Sequence, residues 1–301
     1  MPSIRARLIR VFMKHVMGRK FKRAGQSIEA WRRIDDFMIK HQRVPKGTEV
    51  ESVQIGGITA DWVRAPVAMA DRAVLYLHGG GMFMCSPATH REHAARLSAT
   101  THAAFLLPDY HLAPEHPFPA ALEDTLSSYR WLLDQGYTPD CVAIGGDSAG
   151  GGLALQTLLS LRDEGSPLPA AAFFISPVTD WVRLDGESMT TRAAVDVCIT
   201  PEMHRWTSPF YVGDNDPETP LLSPVHADLS GLPPLLIHVG DNEILLSDST
   251  RLADNARKAD GVVELEVWPG MWHDFTMSSR ILPEGQRSAE EIGGFIERMV
   301  S

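Results

Sequence analysis

Short runs of consecutive apolar residues alternate along this chain with longer segments whose apolar positions recur every three or four residues. Such runs are typical of strands buried on both faces of a parallel sheet, and the periodic segments predict helices. The runs are 73–77, 103–107, 141–144, 170–175 and 235–239, and the periodic segments are 88–99, 120–135, 151–162, 247–259 and 288–300. This alternation predicts an α/β fold with a mostly parallel central sheet and helices on both faces.

Three segments depart from that rhythm. Residues 51–55 and 58–65 alternate apolar and polar positions around Gly56-Gly57, which predicts a hairpin. Residues 1–41 predict helices, with a break near Met17-Gly18 and a second helix from about Ser27 to His41. Residues 179–230 contain no obvious strand and are rich in Pro, Asp and Thr, so we expect an insertion there.

Charge is distributed unevenly along the 301 residues. The chain has 28 Lys/Arg and 38 Asp/Glu, and the first 46 residues hold 13 of the basic but only 3 of the acidic side chains. The remainder is therefore strongly acidic, which argues against nucleic acid as a partner.

The basic N-terminal segment predicts an amphipathic helix. Its apolar residues fall on one helical face, with basic residues around them: Ile4, Leu8, Ile9, Phe12, Met13, Val16 and Met17, flanked by Arg5, Arg7, Arg10 and Lys14. Such a helix either lies on an anionic membrane or packs its apolar face onto the acidic body, and we expect the second. Charges interrupt every apolar run, so neither a signal peptide nor a membrane span is predicted.

The cysteine pattern favours a reducing, cytoplasmic setting. Cys85, Cys141 and Cys198 are odd in number and widely spaced, so neither disulfides nor a metal site is indicated. His90, His93, His111 and His116 also lack paired carboxylates in a recognisable order. We therefore expect no metal and no cofactor.

Two glycine-rich segments suggest acyl-transfer chemistry. Residues 146–150 read Gly-Asp-Ser-Ala-Gly between a predicted strand and helix, the arrangement of a nucleophile elbow centred on Ser148. Residues 78–81 read His-Gly-Gly-Gly directly after another strand. The main-chain N–H groups of Gly80, Gly81 and Ala149 are then the candidate oxyanion hole.

A serine nucleophile needs a base and an acid to orient that base. His273 is the histidine that follows the last predicted strand, which covers residues 263–268. The acid is expected after strand 235–239, where Asp241, Glu243 and Asp248 lie. Asp248 lies in or caps the next helix and points elsewhere, which leaves Asp241 and Glu243 open.

These motifs together resemble the hormone-sensitive lipase-like branch of the α/β-hydrolases, the bacterial esterases with a Gly-Asp-Ser-Ala-Gly elbow. Residues 108–121 are similar to the family's Tyr-Arg-Leu-Ala-Pro-Glu segment, and residues 273–275 to its His-Gly-Phe. The resemblance runs from about residue 47 to the C-terminus. It implies an α/β-hydrolase fold with a catalytic domain at 46–179 and 226–301, and a helical cap built from 1–45 and 180–225.

The resemblance also bears on the acid, although the chain departs from the family's Asp-Pro-Leu-x-Asp pattern there. Aligning Ile244-Leu245 with the Pro-Leu step assigns the acid to Glu243, 30 residues before His273. Asp241 is the reserve, since it requires the loop to shift by two residues.

The predicted function is a serine carboxylesterase for short- to medium-chain acyl esters, of roughly two to eight acyl carbons. The expected partner is a small-molecule ester, and the sequence leaves open whether the protein forms a homodimer. The alternatives are an amide deacetylase for a small acetylated compound, and a ligand receptor similar to the plant gibberellin receptors, which lack the catalytic histidine. The expected substrate pocket consists of Met82, Phe83, Asp147, Met203, Trp206, Phe210 and Tyr211.

Overall fold

Eight strands form a single sheet in the computed structural model, which describes residues 2–300. The strands are β1 Glu49–Ile55, β2 Ile58–Arg64, β3 Met69–Leu77, β4 Ala103–Pro108, β5 Val142–Asp147, β6 Ala171–Ile175, β7 Leu235–Gly240 and β8 Val263–Trp268. Their spatial order is β1-β2-β4-β3-β5-β6-β7-β8. The first two strands pair antiparallel, β2 meets β4 antiparallel, and the remaining pairs are parallel. This mostly parallel sheet is the one that the residue pattern predicts, and the architecture is the α/β-hydrolase fold that the resemblance implies.

Helices cover both faces of the sheet because neighbouring residues on each strand face opposite sides. On β3, Leu75 and Leu77 belong to one hydrophobic core and Val74 and Tyr76 to the other. The helices are α1 Ile4–Phe12, α2 Gly18–Ala24, α3 Ile28–His41, α4 Pro87–Thr101, α5 Ala120–Asp134, α6 Ser148–Asp163, α7 Ser188–Thr191, α8 Pro201–Val212, α9 Leu246–Lys258 and α10 Pro283–Met299.

The N-terminal segment differs from its prediction in two ways. No break occurs at Gly18, because Met13–Met17 forms a π-helical turn that joins α1 to α2, and the helix ends at Gly25, whose φ is +53°. The apolar face also does not pack as a whole onto the body. Ala6 is buried, but Leu8 and Phe12 on the opposite side are exposed.

The insertion after β6 contains no strand among the described residues, as expected. It contributes the short helix α7, the longer helix α8 and two 3₁₀ turns, Pro220–Leu222 and Pro224–His226. None of the helices that the structure describes is both long and apolar enough to cross a membrane.

Candidate active site

Ser148 lies at the sharp turn between β5 and α6, in the left-handed region with φ of +51°. The glycines around it are required by close backbone contacts. A Cβ at Gly146 would lie 2.5 Å from the Gly150 carbonyl oxygen, and a Cβ at Gly150 would lie 2.0 Å from that of Leu77. The tight turn presents Ser148 at the N-terminus of α6, where main-chain N–H groups lack helical partners.

His273 faces Ser148 across the carboxyl end of the sheet. Its Nε2 lies 3.0 Å from the Ser148 Oγ, and its Nδ1 lies 2.9 Å from the Glu243 Oε2. The three side chains come from the loops after β5, β7 and β8. This chain of hydrogen bonds links a hydroxyl, an imidazole and a carboxylate in the order that nucleophilic catalysis uses.

The three candidate acids lie in different places. Glu243 is fully buried, and its Oε1 accepts hydrogen bonds from the Gly240 N–H at 2.6 Å and the Ser176 hydroxyl at 2.8 Å. Asp241 instead accepts from the Gly270 N–H at 2.6 Å. Asp248 lies in α9 and accepts from the Thr179 N–H at 2.8 Å. Of the three, Glu243 is the carboxylate that contacts the imidazole of His273.

A further carboxylate, absent from the predicted site, also contacts the imidazole. Asp274 places its Oδ2 3.0 Å from the His273 Nε2, while its other oxygen is buried without a hydrogen-bond partner among the described residues. Its φ of +54° turns the chain so that both side chains face the cavity. Asp274 occupies the glycine position of His-Gly-Phe, so this departure from the family pattern is the sequence signal for it.

These charges determine the protonation of the imidazole. Burial on its own would lower the pKa of His273, but Asp274 and Glu243 together raise it well above its usual value. Burial also raises the pKa of Asp274, against the attraction of His273. The two carboxylates that contact the ring therefore favour the imidazolium form of His273.

The glycine loop after β3 lies against the elbow. Gly80 and Gly81 have φ of +114° and +60°, and a Cβ at Gly80 would lie 2.2 Å from the Met84 carbonyl oxygen. Gly79 donates its N–H to the Asp147 Oδ2 at 3.0 Å. Ala149 is buried in the first turn of α6. The loop thus presents glycine main chain beside Ser148.

Asp147 connects the loop, the elbow and α4. Its Oδ1 accepts from the Tyr76 hydroxyl at 2.7 Å, and its Oδ2 lies 3.3 Å from the Nε2 of His90. Burial opposes its ionisation, but the charge and hydrogen bond of His90 hold the pKa of Asp147 below its ordinary value. Asp147 therefore links the residue before Ser148 to β3, to the glycine loop and to α4.

The other histidines of residues 90–116 have local contacts. His111 pairs with Asp124 at 2.8 Å, and its ring packs edge-on against His116. His93 packs against the Tyr76 ring. No group of three or more His, Cys, Asp or Glu side chains within residues 2–300 is arranged to hold a metal ion.

A cavity of about 540 Å³ opens above Ser148. N-terminal helices, the glycine loop and α8 surround it, and its aromatic lining is Phe21, Trp31, Phe37, Phe83, Trp181 and Trp272. Among its described lining residues the charged side chains are Glu92, Asp147 and Asp274, with no lysine or arginine. The cavity is therefore apolar with an acidic character near the serine.

Only some of the predicted pocket residues line the cavity above Ser148. Phe83, Asp147 and Met203 line this cavity, and Trp206 lines a neighbouring one of about 610 Å³ that also contacts Met203. The remaining three, Met82, Phe210 and Tyr211, do not line the cavity above Ser148.

The three residues outside the lining have other contacts. Met82 and Tyr211 are buried in the main core, and the Tyr211 hydroxyl donates to the Gln156 side chain at 2.6 Å. Phe210 packs edge-on against Trp206. Helical position alone does not reveal which side of α8 faces the serine. Val178, Trp181 and Leu245 line the cavity instead, and no motif or periodicity marks them as pocket residues.

Comparisons with known proteins agree with this geometry. Residues 74–277 match the model of the family described as alpha/beta hydrolase fold. An acetyl-hydrolase of Streptomyces hygroscopicus is 45% identical over 253 residues, which cover 84% of this chain and 83% of the relative. The carboxylesterase/phospholipase LipF of Mycobacterium tuberculosis is 36% identical over 271 residues, covering 87% and 72%.

Solved structures are similar over nearly the whole chain. An esterase from the bacterial hormone-sensitive lipase family is 38% identical, with a TM-score of 0.93 and complete coverage of both chains. The esterase EstE5, in a crystal soaked with p-nitrophenyl butyrate, is 40% identical with a TM-score of 0.92, covering 99% of both chains.

Proposed function

Since this chain belongs to the α/β-hydrolase family, as an ester hydrolase of the hormone-sensitive lipase-like type, we propose that Ser148, His273 and Glu243 are its catalytic triad. The proposed substrates are small carboxylic esters with short- to medium-chain acyl groups. The observation that carries the proposal is the continuous hydrogen-bonded path from the Ser148 hydroxyl through His273 to the buried Glu243.

In the first half of the reaction, the Ser148 Oγ attacks the ester carbonyl carbon while its proton moves to the His273 Nε2. Glu243 accepts a hydrogen bond from Nδ1–H, so the lone pair of Nε2 points at the serine. The carbonyl oxygen becomes an oxyanion, for which we propose the N–H groups of Gly80, Gly81 and Ala149. The imidazolium then gives its proton to the departing alcohol, and an acyl-serine remains.

In the second half, water replaces the alcohol. His273 takes a proton from the water as its oxygen attacks the acyl carbon, and a second oxyanion forms at the same N–H groups. When this intermediate collapses, the C–O bond to serine breaks and Ser148 recovers its proton from the imidazolium. The carboxylic acid leaves, and the triad returns to its starting state.

The proposed cap consists of residues 1–45 and 180–225, over a catalytic domain at 46–179 and 226–301. Phe21, Trp31 and Met203 from these cap segments line the cavity, which supports this division. A cavity of about 540 Å³ with mostly apolar walls is of the size that small-molecule sites have. It favours acyl chains short enough to be enclosed.

Removal of an acetyl group is a second candidate activity. It is favoured by the similarity to a relative named an acetyl-hydrolase, at 45% identity. Cleavage of an amide requires that His273 protonate an amine leaving group.

A p-nitrophenyl ester series from acetate to decanoate tests the proposal. We expect kcat/KM to be highest among the short and medium chains. Ser148→Ala and His273→Ala should each lower kcat by about 10⁴-fold or more. The exposed Ser127 and His102 provide matched controls, and their alanine variants should retain full activity. Wild-type turnover in either triad variant would refute the assignment of the triad. The second candidate activity, amide cleavage, is tested with 4-nitroacetanilide in the same assay.

A further inference from the structure

The helical segment from α1 to α2 presents five large apolar side chains to solvent. They are Ile4, Leu8, Val11, Phe12 and Val16, named here the apolar stripe, and their exposed fractions range from 43% at Val16 to 76% at Ile4. Scattered apolar residues are ordinary on a protein surface, but a contiguous stripe along one helix marks an interaction site.

The opposite side of the same helix attaches it to the body. The Ser3 N–H and hydroxyl donate to the Glu284 carboxylate at 2.6 and 3.0 Å, and Arg10 donates to the Val195 carbonyl at 3.0 Å. Ala6 is buried between these contacts. The helix is therefore held with its apolar stripe facing outward, and the exposure does not come from an unpacked chain end.

Basic side chains surround the apolar stripe. Arg5, Arg7, Lys14, Arg19 and Arg23 are exposed along the segment. The first acidic residue of the chain is Glu29, so the first 28 residues carry positive charge without internal compensation. An exposed apolar face with basic flanks is the pattern of helices that lie in the plane of an anionic lipid surface.

We propose that the apolar stripe and its basic flanks dock this protein onto an anionic membrane surface. A second copy of the chain fits less well, because two-fold pairing of the stripe would place the same basic side chains against one another. An anionic lipid surface supplies both an apolar phase for Leu8 and Phe12 and negative charge for the arginines.

Docking in this orientation would bring the cavity close to the lipid. Met13 and Phe21 lie in the same helical segment and line the cavity that holds Ser148. A lipophilic ester could then enter from the membrane without crossing bulk water. The docking itself does not depend on the proposed catalytic residues, so binding and catalysis can be tested separately.

Vesicle co-sedimentation of the full chain provides the test, with phosphatidylcholine vesicles compared with vesicles containing about one third phosphatidylglycerol. We expect binding to the anionic vesicles and little to the neutral ones, and weaker binding at high salt. Ser148→Ala should bind as wild type does, which separates docking from turnover.

Two double variants examine the two parts of the surface. The double variant Leu8→Ser, Phe12→Ser removes apolar side chains of the stripe and should lower the vesicle partition coefficient by about tenfold or more. The double variant Arg5→Gln, Arg7→Gln removes two charges and should lower it by about fivefold per charge at low salt. The matched controls are Val262→Ser with Ile281→Ser, and Arg280→Gln with Lys258→Gln, which alter exposed residues elsewhere. The controls should bind as wild type does, and all variants should keep wild-type turnover of a soluble ester.

Three results would overturn the proposal. The first is an absence of binding to anionic vesicles, and the second is an equal loss in the control variants. The third is a concentration-dependent dimer in analytical ultracentrifugation that the Leu8/Phe12 variant abolishes, since this would assign the stripe to a second copy. Loss of ester turnover in every preparation, with vesicle binding intact, would refute the proposed function and leave the docking standing.

Discussion

The Asp274 carboxylate lies 3.0 Å from the Nε2 of His273, the same nitrogen that faces the Ser148 hydroxyl at 3.0 Å. The imidazole thus has a carboxylate on each side, with Glu243 at Nδ1 and Asp274 at Nε2. An ionised Asp274 stabilises the imidazolium, which helps when charge develops during the reaction. It also opposes loss of the proton in the free enzyme, when His273 must be neutral to act as a base.

Asp274→Gly should therefore shift the pH dependence of activity. Asp274 and Glu243 raise the pKa of His273 against the effect of burial, so the rise of kcat/KM with pH should be displaced towards alkaline pH. Removing the adjacent negative charge lowers that pKa, and the rising limb should move about one pH unit or more towards acid. Glycine also suits the φ of +54° at this position.

The pH–kcat/KM profile of a soluble ester is the measurement. Asp274→Asn keeps the side-chain size without the charge and should shift the midpoint in the same direction. Asp241→Asn alters a carboxylate that bonds to the Gly270 N–H and should leave the midpoint unchanged. An unshifted profile in both Asp274 variants would mean that His273 does not experience this charge.

The sequence predicts which serine and which histidine lie in the site, because each follows a strand that the apolar pattern identifies. The residue pattern alone does not distinguish two candidates for the acid, which lie two residues apart. Whether Asp241 or Glu243 reaches the imidazole depends on how the loop after β7 folds, and the Gly240 N–H and Ser176 hydroxyl orient Glu243 from other parts of the chain.

Two other features could not be predicted from the sequence pattern, because they also depend on how distant parts of the chain pack or on the local backbone conformation. Hydrophobic periodicity identifies the apolar face of the N-terminal helix, but it does not show whether protein covers that face. Leu8 and Phe12 are exposed because Ser3 and Arg10 attach the opposite side to the body. Likewise, Asp274 contacts His273 because of a left-handed backbone turn, which its residue type permits but does not specify.

Glu243→Gln should lower kcat by about 10³- to 10⁴-fold, because a neutral amide neither selects the Nδ1–H tautomer nor stabilises the imidazolium. Asp241→Asn should reduce kcat by less than about tenfold, since Asp241 bonds to backbone at Gly270 and does not contact His273. Steady-state kinetics on p-nitrophenyl butyrate distinguishes them. The reverse ranking would transfer the acid role to Asp241.

Met203→Ala and Phe210→Ala should have different effects, although both residues are half-buried on α8. Met203 lines the cavity above Ser148, so its truncation should raise KM or shift the preferred acyl length towards longer chains. Phe210 contacts Trp206 and does not line the cavity, and its variant should keep the wild-type acyl profile. A p-nitrophenyl ester series measures both. Equal changes in the two variants would mean that both substitutions affect activity by destabilising α8, and that Met203 does not contact the acyl chain.

Gly150→Ala should destabilise the fold as well as abolish activity. A Cβ there would lie 2.0 Å from the Leu77 carbonyl oxygen and 2.4 Å from that of His78, and neither backbone can yield without moving β3 and the glycine loop. We expect a loss of about 3 kcal/mol or more in the free energy of unfolding, measured by urea denaturation. Gly57 is the matched control, because a Cβ there meets nothing within 4 Å and its variant should stay within about 0.5 kcal/mol of wild type. If Gly150→Ala unfolds at the wild-type urea concentration, the elbow does not pack against β3 as closely as these contacts require, and the proposed position of Ser148 beside Gly80 and Gly81 loses its support.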